Sequence, residues 1–398
     1  MMKFYDSIQR RRLLLLVLLM VALFGLAFTL NLNSNESETN ITTSSSTTQK
    51  VIAEPELKTA ELVSGLSHPW DIAFLPSGNM LFNERSGSIS LFKDQKVQPV
   101  AQINDIYSEG EGGLTGLVLD TDFKSNRFIY TCFNSNISGR PDVRVVRFRL
   151  SDGEDSLSDR KDIVTGIPSN SSGRHSGCRV RVAEDGTLWV GTGDAAVASN
   201  PQSSTSLGGK ILHVTRDGAP VEGNLPAPYD ARIFSFGHRN VQGLVLFKQP
   251  VDGVYGYSVE HGSDIDDEVN LIKSGNFGWS PRAGYEESGV PMTDLKRFPD
   301  AISAVWSSGD LTIAPSGASL ISGNKWGLWD GALAMAVLKN KHVRILKFDS
   351  SYALTLEKEV LGEFGRVRTV VQGPNGDLYL STDNGTNDKI IQITPITK

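Results

Sequence analysis

His175 stands among glycines and serines in SGRHSG, just ahead of the alternating segment CRVRVAEDGTLWVGTGD. Histidine is the residue type that titrates near neutral pH, and its place in an open, glycine-flanked turn is what the sequence has to explain; taken alone, such a histidine is more often a satisfied structural residue. Three more patches carry polar residues that a plain sheet does not need. GHRNVQG supplies His238, Arg239 and Asn240; EHGSDIDDEVN, Glu260 to Asn270, is an acidic loop; Lys339 in VLKNK precedes Arg366 and Arg368 in GRVRTV. Residues two apart on a strand face the same side, so Arg366 and Arg368 repel unless an anion lies between them. With Lys339 and Arg239 they form a cationic set whose expected occupant is a small polyanion with several carboxylates or phosphates, at about 1.5–3 kcal/mol per charge-assisted pair. No glycine-rich phosphate loop opens a helix, which argues against a nucleotide. The plainer alternative makes each cation a surface charge paired with a local acid.

These groups lie far apart in sequence, so the fold must bring them together. No long helical period runs through the chain from about residue 51 on. A unit of apolar strand, Gly or Asp-Gly turn, and further strands recurs instead, as in IAFLPSGNMLFNERSGSISLF, CRVRVAEDGTLWVGTGD and VRTVVQGPNGDLYLSTDNGTNDKIIQI. Six copies at roughly 50–60 residues each match four-stranded propeller blades. One such sheet cannot bury both its faces alone, whereas six packed radially bury each other. The expected fold is therefore an all-β, six-bladed propeller over 51–398, closed by VIAEPELKTAELVS pairing with the C-terminal strands. Loops of different blades then converge at one mouth of the central channel.

The bulk numbers agree. The 398 residues carry 39 glycines, 39% hydrophobic residues and a net charge of -6, which allows a large core and argues against nucleic acid as a partner. Arg10, Arg11 and Arg12 precede an unbroken apolar run, Leu13 to Leu30. Residues 1–30 read as a signal or membrane anchor, the uncleaved anchor being favoured, with the body on the extracytoplasmic side. The Ser/Thr/Asn tract 31–50 reads as a flexible linker. Membrane contact is expected only through the N-terminal segment. Cys132 and Cys178 either pair outside the cell or are two buried thiols.

Read in order, HPWDIAFLPSGNMLFNERSG, EGGLTGLVLDTDF, HSGCRVRVAEDGTLWVGTGD, LGGKIL, IFSFGHRNVQGL, EHGSDIDDEVNLIKSGNFGW, IAPSG, LAMAVLKNKHVRIL and GRVRTVVQGPNGDLYLSTD make the chain recognisable. It resembles the soluble aldose dehydrogenases of the glucose/sorbosone dehydrogenase family, which depend on pyrroloquinoline quinone (PQQ), over nearly all of residues 60 to 395. The resemblance implies a sugar dehydrogenase that oxidises the C1 hydroxyl of an aldose to a lactone and passes electrons to an external acceptor. It implies that His175 is the base taking the C1 hydroxyl proton while hydride leaves for the quinone. Arg239 would face the quinone oxygens, with Asn240 beside it as a cofactor contact. Lys339, Arg366 and Arg368 would hold the cofactor carboxylates, and Glu111 and Thr312 fall near further cofactor positions. The backbone carbonyls of Gly262 and Ser263 would bind the Ca²⁺ that clamps the quinone, and Glu268 matches a second, structural Ca²⁺ position. Ser263 stands where relatives usually have proline, Cys178 where they have glycine, and Arg174 where another polar residue precedes the base.

Two other classes compete. One is a propeller that keeps the fold but only binds a ligand or a protein; such a module has no use for His175. The other is a metal-centred propeller hydrolase, which needs Glu, Asn and Asp side chains ringed around one metal, where this chain offers cations.

Overall fold

The computed structural model describes residues 53–396 apart from 138 and 140. The expected anchor, 1–30, and linker, 31–50, lie outside the described residues. The described chain is a ring of six antiparallel sheets, five of four strands and one of five. The fifth strand of the third sheet, Gly275–Asn276, pairs parallel to Ile233–Phe236. Among the described residues the α-helix is a single turn, Phe123–Asn126.

The first strands of the blades are Pro69–Phe74, Leu114–Leu119, Gly177–Val182, Val241–Val251, Pro315–Leu320 and Val367–Gln372. Each packs against the first strand of the next blade, so they form the inner wall of the ring. Closure occurs as the repeat demands. Glu56–Leu66 pairs antiparallel with Asp388–Ile396 and completes the blade begun by Val367–Gln372. The ends of the propeller are thereby joined by backbone hydrogen bonds, with Glu56–Leu66 as the outermost strand of that blade.

Alternating strands turn apolar side chains to both sheet faces, and each gap between blades is filled by its own cluster. Leu81, Ile89, Leu114 and Phe133 fill the first gap. Trp189, Phe234, Val241 and Leu244 fill the third, and Ile72, Phe82, Tyr379 and Ile390 fill the gap across the closure. Each large side chain so buried contributes about 1.5–3 kcal/mol. Cys132 and Cys178 form a buried disulfide between the second and third blades, with Cα atoms 5.9 Å apart. Of the two open readings of these cysteines, the paired one holds.

Candidate active site

The blade plan places the polar patches. The chain enters every first strand from the same rim, and an antiparallel second strand returns to that rim. One backbone hydrogen bond joins the entry to the return in each blade: Arg85 to His68, Asn134 to Gly113, Ala195 to His175, His261 to Asn240, Leu338 to Ala314 and Asp383 to Arg366, at 2.8–3.3 Å. The site residues are therefore those just before the first strands and just after the second ones.

His175 precedes Gly177–Val182 and has a left-handed φ of 53°. The turn is not open, contrary to the expectation from its glycines. His175 is 3% exposed. The glycines serve close backbone approach instead: a Cβ on Gly173 would lie 1.6 Å from the Glu109 carbonyl, and one on Gly193 1.9 Å from the His175 carbonyl. The imidazole is held from one side. Nδ1 lies 2.8 Å from Asp194 Oδ1 and 2.9 Å from the Tyr285 hydroxyl. Asp194 Oδ2 accepts from the Tyr285 hydroxyl at 2.6 Å and from Trp279 Nε1 at 2.9 Å. Burial, with Asp194 alongside, pushes the Tyr285 phenol far above its ordinary range, so it stays a donor. The buried carboxylate fixes the proton on Nδ1, and Nε2, to which no hydrogen bond runs among the described residues, is left with a lone pair. Lys210 stabilises the loop after Asp194 by donating to the carbonyls of Asn200, Pro201 and Gly208.

Glu111 ties His175 to its neighbours. Oε1 accepts the His175 backbone N–H at 3.0 Å, and Oε2 accepts Asn240 Nδ2 at 3.0 Å. Asn240 Oδ1 in turn accepts the Gly177 N–H. Burial alone would raise the Glu111 carboxyl, but His175 and His261 hold it below its ordinary value, so it is an anion.

Beside this group lies a cleft of about 420 Å³, lined by Glu111, His261, Arg85, Arg366, Arg368 and Asp383 among others. Ala314 and Leu338 also line it, and Lys339, next in the chain, donates to Thr312 Oγ1 at 2.9 Å. Of the expected cationic set, Arg366 and Arg368 thus line one cleft at the mouth, and Lys339 adjoins it through Leu338. Two expectations are corrected. The anion between Arg366 and Arg368 is already partly supplied by the protein: Arg368 pairs with the Asp383 carboxylate and Arg366 Nε donates to the Asp383 carbonyl. Burial would raise the Asp383 carboxyl, but Arg368 and His68 hold it well below the usual range. Arg239 does not offer its guanidinium to the cleft. Nε and Nη2 bond Glu287, and Nη1 bonds the His261 carbonyl. Arg174, next to His175, also turns to Glu287, over the ring of Tyr285.

The donors suit the groups expected from the sequence. Arg85, Arg366 and Arg368 suit a small polycarboxylate, and the buried His261 Nε2 has no partner among the described residues. No hydrogen bond to the carbonyl oxygen of Gly262 or Ser263 occurs among the described residues, whereas the Gly262 N–H is held by Asp267 Oδ1 at 2.7 Å. Those carbonyls suit a hard cation. Glu268 is held separately, with Asn270 and Thr293 donating to its carboxyl. Burial and Glu260 push it up to about 8, and Asn270 Oδ1 is buried without a partner, a donor set that also suits a cation.

Sequence reasoning passed over Asp194, Tyr285, Trp279, Glu287, Arg85, Asp383 and His261. Asp194 closes the WVGTGD motif, and its place after a second strand could have flagged it. Tyr285 and Glu287 fall in an irregular stretch with no repeat signal.

The family model described as glucose/sorbosone dehydrogenase matches residues 66–392. An aldose sugar dehydrogenase of Escherichia coli is 28% identical over 83% of this chain and 91% of its own length. A quinoprotein glucose dehydrogenase of Acinetobacter calcoaceticus is 26% identical over 82% and 85%. The PQQ-bound aldose sugar dehydrogenase of Streptomyces coelicolor superposes with a TM-score of 0.69 at 29% identity, over 86% of this chain and all of that one.

Proposed function

The chain belongs to the glucose/sorbosone dehydrogenase family of propeller oxidoreductases, and from that premise we propose that it is a PQQ-dependent aldose dehydrogenase that oxidises the sugar C1 hydroxyl to a lactone. The observation that carries the reading is the His175–Asp194 pair, with its free Nε2, at the edge of a cation-lined cleft. PQQ, when bound, supplies a two-electron acceptor for the hydride released from C1. Arg366, Arg368 and Lys339 would hold its carboxylates, with Asn240, Glu111 and Thr312 beside them, and the carbonyls of Gly262 and Ser263 would hold a Ca²⁺ against it.

The chain's own work is proton transfer and positioning. Nε2 of His175 accepts the C1 hydroxyl proton, and the imidazolium formed is stabilised by Asp194 through Nδ1–H. Tyr285 and Trp279 hold that carboxylate still. Positive charge from Arg239 can stabilise the developing anion only if Arg239 gives up a bond to Glu287 as ligands enter. Glu268 would hold a second, structural Ca²⁺. Electrons then pass to an external acceptor. The body would act on the extracytoplasmic side, anchored or secreted, a placement in keeping with the disulfide.

The full chain supplied with PQQ and Ca²⁺ is expected to reduce a dye when given glucose or another aldose. His175→Ala is expected to keep quinone affinity and to lose roughly 10²–10⁴-fold in kcat. Unchanged turnover in that variant would remove His175 from the chemistry.

A further inference from the structure

Two carboxylates face His175. Asp194, fully buried, meets Nδ1, and Glu111 accepts the backbone N–H. Each favours the protonated, cationic ring. An imidazolium has no lone pair and accepts no proton, so two anions beside the ring call for a cation that offsets them. The surrounding groups supply little. Tyr285, whose hydroxyl reaches Nδ1, stays neutral. Burial holds the His261 ring, beside Glu111, below its ordinary value. Arg239 is spent on Glu287 and the His261 carbonyl. Arg174 also bonds Glu287 and, with 45% of its side chain exposed, is screened by solvent.

Lys210 is the cation that remains. It opens Lys210–Val214, the third strand of its blade, and is fully buried. Its side chain donates to the carbonyls of Asn200, Pro201 and Gly208 at 2.6, 3.1 and 2.7 Å. Three acceptors match the three N–H bonds of an ammonium, where a neutral amine has two. Burial pulls the group down to about 7, and Asp194 acts against that fall. The carbonyls add to the pull toward the charged form. The same backbone carries Asp194: Asn200 Nδ2 donates to the Asp194 carbonyl at 2.9 Å, and the Gly209 N–H bonds the Gly193 carbonyl at 3.0 Å. The ammonium is thus fixed on the loop that follows the carboxylate. We propose that Lys210 is the buried counter-ion of Asp194, a positioning residue that acts through this carboxylate to keep the His175 ring unprotonated, and so able to accept a proton, at neutral pH. The inference rests on the dehydrogenase reading for the use made of the ring; the charge pairing itself needs no quinone.

The test follows the His175 ring by NMR in the full quinone-free chain, its signal identified by its loss in His175→Gln. Lys210→Gln removes the charge and keeps two N–H donors for the carbonyls; Lys210→Met removes both. In Lys210→Gln the ring is expected to stay protonated to a higher pH than in the parent, by roughly 1 pH unit. Lys210→Met is expected to show the same shift with a lower melting temperature. With PQQ and Ca²⁺ added, the acid limb of kcat/KM for an aldose is expected to move up with the ring. An unchanged titration of His175 in folded Lys210→Gln would overturn the proposal and leave the dehydrogenase reading intact. Loss of fold in both variants would make Lys210 a structural tie and overturn it as well. A shifted ring in a parent chain that oxidises no aldose would uphold the charge pairing and overturn the dehydrogenase reading.

Discussion

At the scale of the residue, the proposed base, His175, is defined by what surrounds its far nitrogen. Asp194 meets His175 Nδ1 at 2.8 Å, and that bond decides which nitrogen keeps a lone pair. Asp194→Asn keeps the shape, but its amide can present either N–H or oxygen to the imidazole, and the negative charge that stabilises the imidazolium is gone. The expected result is a fall in kcat of roughly 100-fold or more with quinone affinity little changed, read by stopped-flow reduction and by titration. Glu268 gives a pH prediction. Its carboxyl is raised from 4.5 to about 8, so the folded chain keeps a proton that the unfolded chain releases. Over that window folding binds the extra proton, and stability falls as pH rises. Cation-free parent chain should therefore lose melting temperature between those pH values relative to Glu268→Gln. Added Ca²⁺ should raise the parent more than Glu268→Gln at the upper end, the variant keeping only the Gly262 and Ser263 carbonyls as a cation position. Parallel melting curves for the two chains would refute the assignment.

At the scale of the element, the rim is the unit of function. Each first strand begins, and each second strand ends, at the mouth, and a backbone hydrogen bond registers the two. Side chains at these positions have fixed directions, which suits a site that must hold a rigid ligand. The last blade illustrates the consequence. Arg366 is half-buried and bonds only a carbonyl through its side chain, whereas Arg368 is 8% exposed and paired to Asp383. Arg366→Ala is expected to weaken quinone binding with little effect on folding. Arg368→Ala leaves the Asp383 carboxylate buried with only His68, at a cost of about 3–5 kcal/mol of stability. Melting and titration on the two variants separate these outcomes, and equal loss of stability in both would contradict them.

At the scale of the whole molecule, the ring works because every blade buries two faces and the first and last strands close it. The disulfide adds a covalent tie between the second and third blades, and Cys178 lies three residues after His175. Replacing both cysteines by serine removes a cross-link with a sequence separation of 46 residues. The expected cost is about 3–4 kcal/mol, read as a lowered denaturant midpoint, with the ring still formed because its other ties remain.

The blade count, the closing strand and the rim positions of His175, Asn240, Arg366 and Arg368 were legible in the sequence. Apolar alternation and Gly turns are local, periodic signals, and they set which residues start each strand. What each polar group faces was not legible. Arg239 meets Glu287, Arg368 meets Asp383, His175 meets Asp194 and Tyr285, and His261 Nε2 meets no partner among the described residues. Those pairings join residues from separate blades, from an irregular loop, or from two strands whose register is set only on folding. Charge and hydrogen-bond partners depend on distances in three dimensions, which a repeating pattern along one chain does not contain.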